Sequence, residues 1–339
     1  MHNKQTLQAA QQLLAQLGIS ADDLLGVTSA TPPTFRTYLG QLRAAVPAAT
    51  LRCYDPYWKK VEDAWGDRTI DEPSSLEIRR LCEQASTTAT IRRNSRNGRG
   101  ATENMVGALR CIYRHAEADR YLRHEDNPAA KVPRPRRLPS TRRALAQRQL
   151  EEIINIASTT GNDPDLDLLL LRFHIETACR RGGALGLRIK DLDDHNCCVQ
   201  LREKGGTVRW QPVSPTLMLA LKQHITERVP DGAPSSEPAL RYRTGRPITG
   251  RRYDSLWDRI GRHLPWVAQQ GITAHWLRHT TLTWVERTFG YAVAHAYAGH
   301  TDNTADTRAT ITYIRASLEE VAHALAALTG EPHPLAPGN

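Results

Sequence analysis

A proline-rich basic segment, residues 127–143, constrains the architecture of this chain more than any other feature. It reads NPAAKVPRPRRLPSTRR. Proline removes a backbone donor and clashes with the preceding helical turn, so no helix can run through the segment. A connector of this composition stays extended and semi-rigid. The chain has 339 residues, which leaves enough on each side for a domain with its own core. The segment therefore predicts two domains joined by a linker at 127–143.

The half before the linker shows helical periodicity and no competing strand signal. Apolar residues recur at helical spacing over 5–17, from Pro33 to Ala45, and over 50–66, 74–85 and 101–118. Gly18 stops the first pattern. We therefore predict an N-terminal helical extension, 1–33, followed by an all-helical domain, 34–126.

The half after the linker predicts a mainly α domain with a small antiparallel β-sheet. Two short strands, 197–202 and 207–213, flank the turn EKGG and form a hairpin. The predicted helices are 144–157, 163–178, 214–228, 250–262, 275–289 and one in the C-terminal region. This domain spans 144–330, and the closing residues 331–339 are predicted to be a disordered tail.

The charge of the chain indicates a polyanionic partner. The formal net charge is +9 and the pI about 9.4, which favours nucleic acid or an anionic membrane surface. No apolar run is long enough to span a bilayer, and the N-terminus lacks the apolar stretch of a signal peptide. The six cysteines form no CxxC pair, so they are interpreted as reduced thiols of a cytoplasmic protein without a metal site.

Two basic stretches predict contacts with a phosphate backbone. Residues 91–100, IRRNSRNGRG, lead into a predicted helix N-terminus, whose free amides and dipole favour a phosphate. Arginine adds bidentate phosphate geometry. A solvated loop is the alternative interpretation. The candidate DNA-binding residues of this loop and of the linker are Arg92, Arg93, Arg96, Arg99, Lys131, Arg134, Arg136, Arg137, Arg142 and Arg143.

Five segments of the second half supply, in order, the groups that phosphoryl transfer needs. Taken singly, each is unremarkable: a surface cation, a solvated pair on a helix, a capped turn or a packing tyrosine. Together, in this order and spacing, they predict an active site. Its candidate catalytic residues are Arg180 near the end of a buried helix, Lys204 in the hairpin turn, His275 and Arg278 in HWLRH, His300 in AGH, and Tyr313 in TITYIRAS.

Each residue type suits one part of the chemistry. Two arginines can hold the non-bridging oxygens of a phosphodiester, where charge is held in the transition state. A lysine at a hairpin tip can protonate the leaving 5′ oxygen, and a tyrosine can attack in line. Histidines can accept the phenol proton or hydrogen-bond the phosphate oxygens. His275 and Arg278, at i and i+3, are expected to share one helix face.

With these residues, 144–326 resemble the catalytic domain of the tyrosine recombinases, the phage integrase family. HWLRH and AGH are the most specific parts of the match. The resemblance implies that the six candidates above are the family's catalytic set and that Tyr313 is its nucleophile. The first half resembles the family's core-binding domain, which implies a two-domain C-shaped clamp around duplex DNA.

The resemblance also implies a function. The chain would be a site-specific DNA recombinase that cleaves and rejoins strands through a 3′-phosphotyrosine, without metal, ATP or another cofactor. It would act as a tetramer on double-stranded DNA with an inverted-repeat site and associate with the nucleoid. Integration, transposition, resolution and inversion are all compatible with these residues.

The chain departs from the family's usual pattern in two places. Gly183 stands three residues after Arg180, where the family usually has an acid. Arg180 is therefore expected to be oriented by another group, or to share its work with Arg181. The segment between His300 and Tyr313 is also longer than usual, which leaves the placement of the tyrosine less constrained.

Several alternatives remain open from the sequence. The chain could be a catalytically silent DNA-binding accessory protein of the same fold, or a type IB topoisomerase-like enzyme. Tyr297 and Tyr291 are alternative nucleophiles. A C-terminal helix, 318–328, is predicted to start at a capping box formed by Ser317 and Glu320, and it packs either on its own domain or on a neighbouring subunit. His174 and His279 are interpreted as structural.

Overall fold

The computed structural model describes residues 2–17, 31–89, 98–136, 143–203, 206–299 and 316–336. The chain divides into two compact units, Met1–Pro139 and Ser140–Asn339. Each unit has a hydrophobic core of its own. Among the described helices, none combines the length and the apolar character that crossing a membrane requires.

The first unit contains helices and no strand among its described residues. The helices are α1 (His2–Leu17), α2 (Phe35–Ala45), α3 (Ala48–Trp65), α4 (Ser75–Thr87) and α5 (Arg99–Ala118). Thr34 caps α2, and Ser74 with Glu77 forms a capping box at the start of α4. The core includes Phe35, Trp58, Met105 and Ile112. The prediction of a helical first half is confirmed.

Part of the segment predicted as a linker packs on the first unit. Ala129 and Val132 are buried in its core. The Arg110 guanidinium donates to the carbonyl of Val132 at 2.8 Å, and the Asn127 side-chain oxygen accepts from the amide of Ala129 at 2.8 Å. Residues 127–132 are thus held against this unit, while the Lys131 side chain is exposed to solvent.

The second unit is mainly helical, with one small sheet. Its helices are α6 (Gln147–Thr159), α7 (Pro164–Thr177), α8 (Arg181–Leu185), α9 (Pro215–Arg228), α10 (Gly250–His263), α11 (Pro265–Gln270), α12 (Ala274–Ala298) and α13 (Leu318–Thr329). Leucines occupy several sides of α7, and the unit buries this helix at its centre. Pro164 at the first helical position and two acids in the first turn favour its start there.

The sheet has three antiparallel strands in the order β1 (Leu192–Asp193), β2 (Cys198–Arg202) and β3 (Val208–Pro212). Strands β2 and β3 form the predicted hairpin, with Cys198 opposite Pro212 and Arg202 opposite Val208. Along β2, Val199 and Leu201 are buried, while Gln200 between them is partly exposed. The mainly α fold with a small antiparallel sheet is confirmed.

The C-terminal helix packs on its own unit. The predicted capping box is present, with Ser317 and Glu320 bonded reciprocally. Val321 and Leu325 of α13 are buried with Val285 of α12. The chain beyond α13 is also anchored, because Glu331 accepts from the Arg172 guanidinium at 3.1 Å. Of the two alternatives, the structure has packing in cis. Residues 331–336, predicted as part of a disordered tail at 331–339, are instead anchored on this unit through Glu331 and His333, and residues 337–339 lie outside the described residues.

Candidate active site

Arg278 lies where two helices end. It belongs to the second turn of α12 and is 4% exposed. Its Nη1 donates to the carbonyl of Ala178, the C-cap of α7, and its Nη2 donates to the carbonyl of Ala298, the last residue of α12, at 2.8 Å. Helix C-termini carry partial negative charge, which stabilises a cation there. Burial lowers the pKa of Arg278 to about 10, which leaves the side chain charged at neutral pH.

These two hydrogen bonds bring together segments that are far apart in sequence. Ala178 is followed two residues later by Arg180, and Ala298 is followed two residues later by His300. Between Ala298 and His300, Gly299 has a φ of 61° and ends α12 in the left-handed region. A Cβ at Gly299 would lie 2.3 Å from the Arg209 side chain. Glycine is therefore the residue that fits at position 299, where the chain turns as α12 ends.

Arg180 is held by a carboxylate that the sequence analysis did not identify. Its backbone amide donates to Glu203 Oε1 at 2.8 Å, and its Nη1 donates to Glu203 Oε2 at 2.5 Å. The Arg180 side chain is 36% exposed, whereas the Glu203 side chain is fully buried. The pair thus fixes one edge of the guanidinium and leaves the side chain open to solvent.

Glu203 also faces Arg278, whose Nη1 lies 4.0 Å from Glu203 Oε1. One carboxylate therefore connects the two arginines that the sequence predicted. The signal for it was present in β2: side chains alternate between the faces of a strand, so Glu203 shares the inward face with Val199 and Leu201. A carboxylate in that position needs a buried cation as its partner.

Arg209 on β3 is a third arginine of the cluster, and the sequence analysis missed it. It lies opposite Leu201 in the hairpin. Its Nη2 donates to the carbonyl of Thr177 at 3.2 Å, and its Nη1 donates to Gln211. Its Nε is buried and has no hydrogen-bond partner among the described residues. Burial lowers the pKa of Arg209, and the charge of Glu203 opposes that change.

The other predicted catalytic residues fall in two groups. His275 is in the first turn of α12, one turn before Arg278, with its side chain exposed. Lys204, His300 and Tyr313 lie outside the described residues. The structure thus brings Arg180 and Arg278 together through Glu203, and Glu203 immediately precedes Lys204 in the chain.

The predicted DNA-binding residues are likewise divided. Arg92, Arg93, Arg96, Arg137 and Arg142 lie outside the described residues. Arg99 is the first residue of α5, and its guanidinium donates to the backbone carbonyl of Arg136 at 3.0 Å. The remaining candidates have exposed side chains, which are those of Lys131, Arg134 and Arg136 in the first unit and Arg143 in the second.

Two residues near the cluster have structural roles. His174 is fully buried, and its ring bonds the carbonyl of Cys179 at 3.1 Å and the Tyr253 hydroxyl at 2.9 Å. Burial lowers its pKa to about 4, as the structural interpretation of this histidine requires. Tyr297 is also fully buried, its hydroxyl donates to the carbonyl of Glu176, and its pKa is raised by burial. This geometry disfavours Tyr297 as the alternative nucleophile.

Comparison with known proteins identifies the class to which this fold and site belong. The model of the phage integrase family matches residues 143–319. The chain belongs to this family.

Individual relatives agree with that assignment. The tyrosine recombinase XerD of Mycobacterium tuberculosis (strain CDC 1551 / Oshkosh) is 27% identical over 194 residues, which cover 52% of this chain and 58% of that protein. The chain therefore matches less than two thirds of the length of its curated relative.

Solved structures share the fold at low sequence identity. A Tn1549 transposon integrase in complex with circular intermediate DNA superposes with a TM-score of 0.62 at 17% identity, covering 84% of this chain and 95% of that one. A lambda integrase tetramer bound to a Holliday junction gives a TM-score of 0.60 at 14% identity, covering 90% and 89%. These likenesses establish the fold.

Proposed function

We propose that the chain is a site-specific DNA recombinase that cleaves and rejoins strands through a 3′-phosphotyrosine. The Tyr313 phenol oxygen attacks a backbone phosphorus and forms a new P–O bond as the bond to the 5′ oxygen breaks. Lys204 gives its proton to that leaving oxygen, while His275 or His300 accepts the phenol proton. Attack of a 5′ hydroxyl on the phosphotyrosine reverses the step and rejoins a strand.

The arginine cluster is the observation that carries this proposal. Among the described residues, Glu203 is the one carboxylate that faces Arg180, Arg209 and Arg278. The carbonyls that hold Arg278 carry no formal charge, so these three arginines and Glu203 together carry a net positive charge. A phosphate entering beside Arg180 supplies the missing anion, and the fixed cations need no reorganisation as charge develops in the transition state. Planar guanidinium groups match two phosphate oxygens at once.

This mechanism needs neither metal nor ATP. Each step exchanges one phosphate ester for another, so the energy of the cleaved bond is kept in the phosphotyrosine. The cations stabilise charge that a metal ion would otherwise hold.

The proposed partner is double-stranded DNA that carries an inverted-repeat site, bound by a tetramer in the cytoplasm at the nucleoid. The net charge of +9 favours a polyanion. The exposed cations Lys131, Arg134, Arg136 and Arg143 are proposed to contact backbone phosphates. The related lambda integrase has been solved as a tetramer bound to a Holliday junction, which supports the same assembly here.

A covalent-trapping assay tests the proposal. Genomic DNA flanking the coding sequence is searched for an inverted repeat, and a labelled duplex carrying it is nicked beside the cleavage position. Cleavage then releases a short fragment that diffuses away and blocks rejoining. We expect a covalent protein–DNA band on a denaturing gel with the wild type and none with Tyr313→Phe, which removes only the phenol oxygen and should bind DNA within a few-fold of the wild type.

The other outcomes separate the alternatives. A band that persists in Tyr313→Phe would remove this residue as the nucleophile, and Tyr291, whose side chain is 56% exposed, would be tested next. Binding without any covalent band would indicate an accessory protein. Relaxation of supercoiled plasmids that lack the site would indicate a topoisomerase.

A further inference from the structure

Glu203 stands in an unusual position for a carboxylate. It follows the last residue of β2, and its backbone amide donates to the carbonyl of Thr207 across the hairpin at 2.9 Å. Its fully buried side chain turns inward to accept from both the backbone amide and the guanidinium of Arg180. The residue is thus fixed to the hairpin by its main chain and to Arg180 by its side chain.

The Glu203 carboxylate lies next to the position from which a side chain at residue 183 would start. A Cβ at Gly183 would lie 3.4 Å from both Cγ and Oε1 of Glu203. Gly183 is buried in the first turn of α8, one turn after Arg180. A carboxylate carried by residue 183 would therefore lie close to the carboxylate of Glu203 beside Arg180.

We propose that Glu203 is the positioning residue for Arg180, in place of an acid at residue 183. The inference rests on the proposed function, because it assigns Arg180 to the reacting phosphate. Glu203 holds the Arg180 guanidinium through Nη1 and lies 4.0 Å from Arg278, so it sets the spacing of the two arginines. Because Lys204 is the next residue, the same contact ties the hairpin that carries the proton donor to the arginines.

An exchange of the carboxylate between the two positions tests this inference. Glu203→Ala should lower the single-turnover rate of covalent trapping by about 10–100-fold, the range for residues that orient a reacting group. Its affinity for DNA should stay within a few-fold of the wild type. Gly183→Asp alone should also lower the rate, because two carboxylates would then meet beside Arg180. The double variant, Gly183→Asp with Glu203→Ala, should react faster than either single variant.

The neighbouring glycine provides the matched control. Gly182 belongs to the same helix, is exposed, and a Cβ there would meet no atom within 4 Å. Gly182→Asp adds the same charge one residue away and should leave the rate unchanged. Combined with Glu203→Ala, it should give no rescue. Equal rescue from residues 182 and 183 would overturn the inference, since any added acid would then suffice.

Two further measurements keep the result decisive. Glu203→Gln retains the shape of the side chain and an acceptor for the Arg180 amide, so a wild-type rate in this variant would contradict a role for the charge.

Urea unfolding of the same variants needs no cleavage activity. There, Gly183→Asp should lower the unfolding midpoint less in the Glu203→Ala background than in the wild type, whereas Gly182→Asp should have the same effect in both. Absence of covalent trapping in the wild type would refute the proposed function, while additive unfolding effects at residues 183 and 203 would refute the shared position.

Discussion

Arg278→Ala should destabilise the second unit as well as remove a cation that we propose to be catalytic. The substitution leaves two carbonyls, those of Ala178 and Ala298, without the donors that now reach them. Both residues are buried, at 0% and 2% exposure, so water does not replace those donors freely. An orphaned buried carbonyl costs about 1–3 kcal/mol. Glu203 is also deprived of one of the cations that face it, and we expect a total destabilisation of about 3–5 kcal/mol, the range for breaking a buried ionic network.

Two other arginines serve as references for that value. Arg180→Ala removes a partly exposed guanidinium, and Glu203 still accepts from the backbone amide of residue 180, so the destabilisation should be about 1–2 kcal/mol. Arg287 lies on the same helix as Arg278 with its side chain exposed. Arg287→Ala should change the free energy of unfolding by no more than about 0.5 kcal/mol.

Urea unfolding at neutral pH gives these values, and covalent trapping on the nicked duplex gives the rates. A destabilisation of about 3–5 kcal/mol is a large part of the stability of an ordinary domain, so the rate of Arg278→Ala alone would mix unfolding with chemistry. Arg278→Lys keeps one charged donor and should cost about 1–3 kcal/mol for the carbonyl left unpaired. Its trapping rate should still fall by about 10²–10³-fold, as when an oxyanion-hole donor is removed. An Arg278→Ala protein as stable as Arg287→Ala would refute the buried two-helix contact.

Two more predictions concern DNA binding and pH. Changing Arg134 and Arg136 to Ala should lower the slope of log K against log salt by about 0.9 for each phosphate that is no longer neutralised, equally for all DNA sequences. Arg52→Ala, on the exposed side of α3, is the control and should leave the slope unchanged. An unchanged slope in the Arg134 and Arg136 variant would mean that these two arginines face solvent. Burial lowers the pKa of His174 and of His224 from 6.5 to about 4. The unfolded chain therefore binds protons first, so stability is complete above pH 6.5 and falls between pH 6.5 and 4 by up to about 1.4 kcal/mol per pH unit for each histidine. Unfolding free energies that stay flat across this range would contradict the buried neutral rings.

Most helices were predictable because the apolar periodicity and the residues at the helix ends indicate the same boundaries. Proline or a capping residue starts α4, α7, α9 and α13, and the apolar spacing holds to the last turn. Three helices are exceptions: the short helices α8 and α11 were not predicted, and α12 was predicted to end at residue 289 but continues to Ala298. Gly290 adopts a φ of 85° and kinks the helix, and the chain then resumes helical geometry. A glycine in isolation does not reveal whether the helix resumes. Strand β1, with two residues, is too short to show any period.

Local patterns found only part of the site. Arg180 and Arg278 could be predicted because each lies in a recognisable local motif. The alternation along β2 places Glu203 on the inward face, but the partners of Glu203 and of Arg209 depend on contacts between α7, α12 and the hairpin that no local window contains. Glu203 is 23 residues from Arg180 in sequence. The packing of α13 in cis was likewise open, since an amphipathic helix specifies an apolar partner but not the chain that provides it.

The way Arg278 is held would keep a buried cation available to the phosphate that the proposed function assigns to it. Two carboxylates around this guanidinium would have satisfied it equally well, but they would have cancelled its charge. Two helix C-termini supply aligned carbonyls with only partial negative charge. Glu203, at 4.0 Å from Arg278, is the only carboxylate among the described residues within ion-pair distance of Arg180 and Arg278. The three arginines and Glu203 together therefore carry a net positive charge. A second acid beside Arg180, as in Gly183→Asp, would halve that net charge from +2 to +1, so its effect on trapping should be larger than its effect on folding.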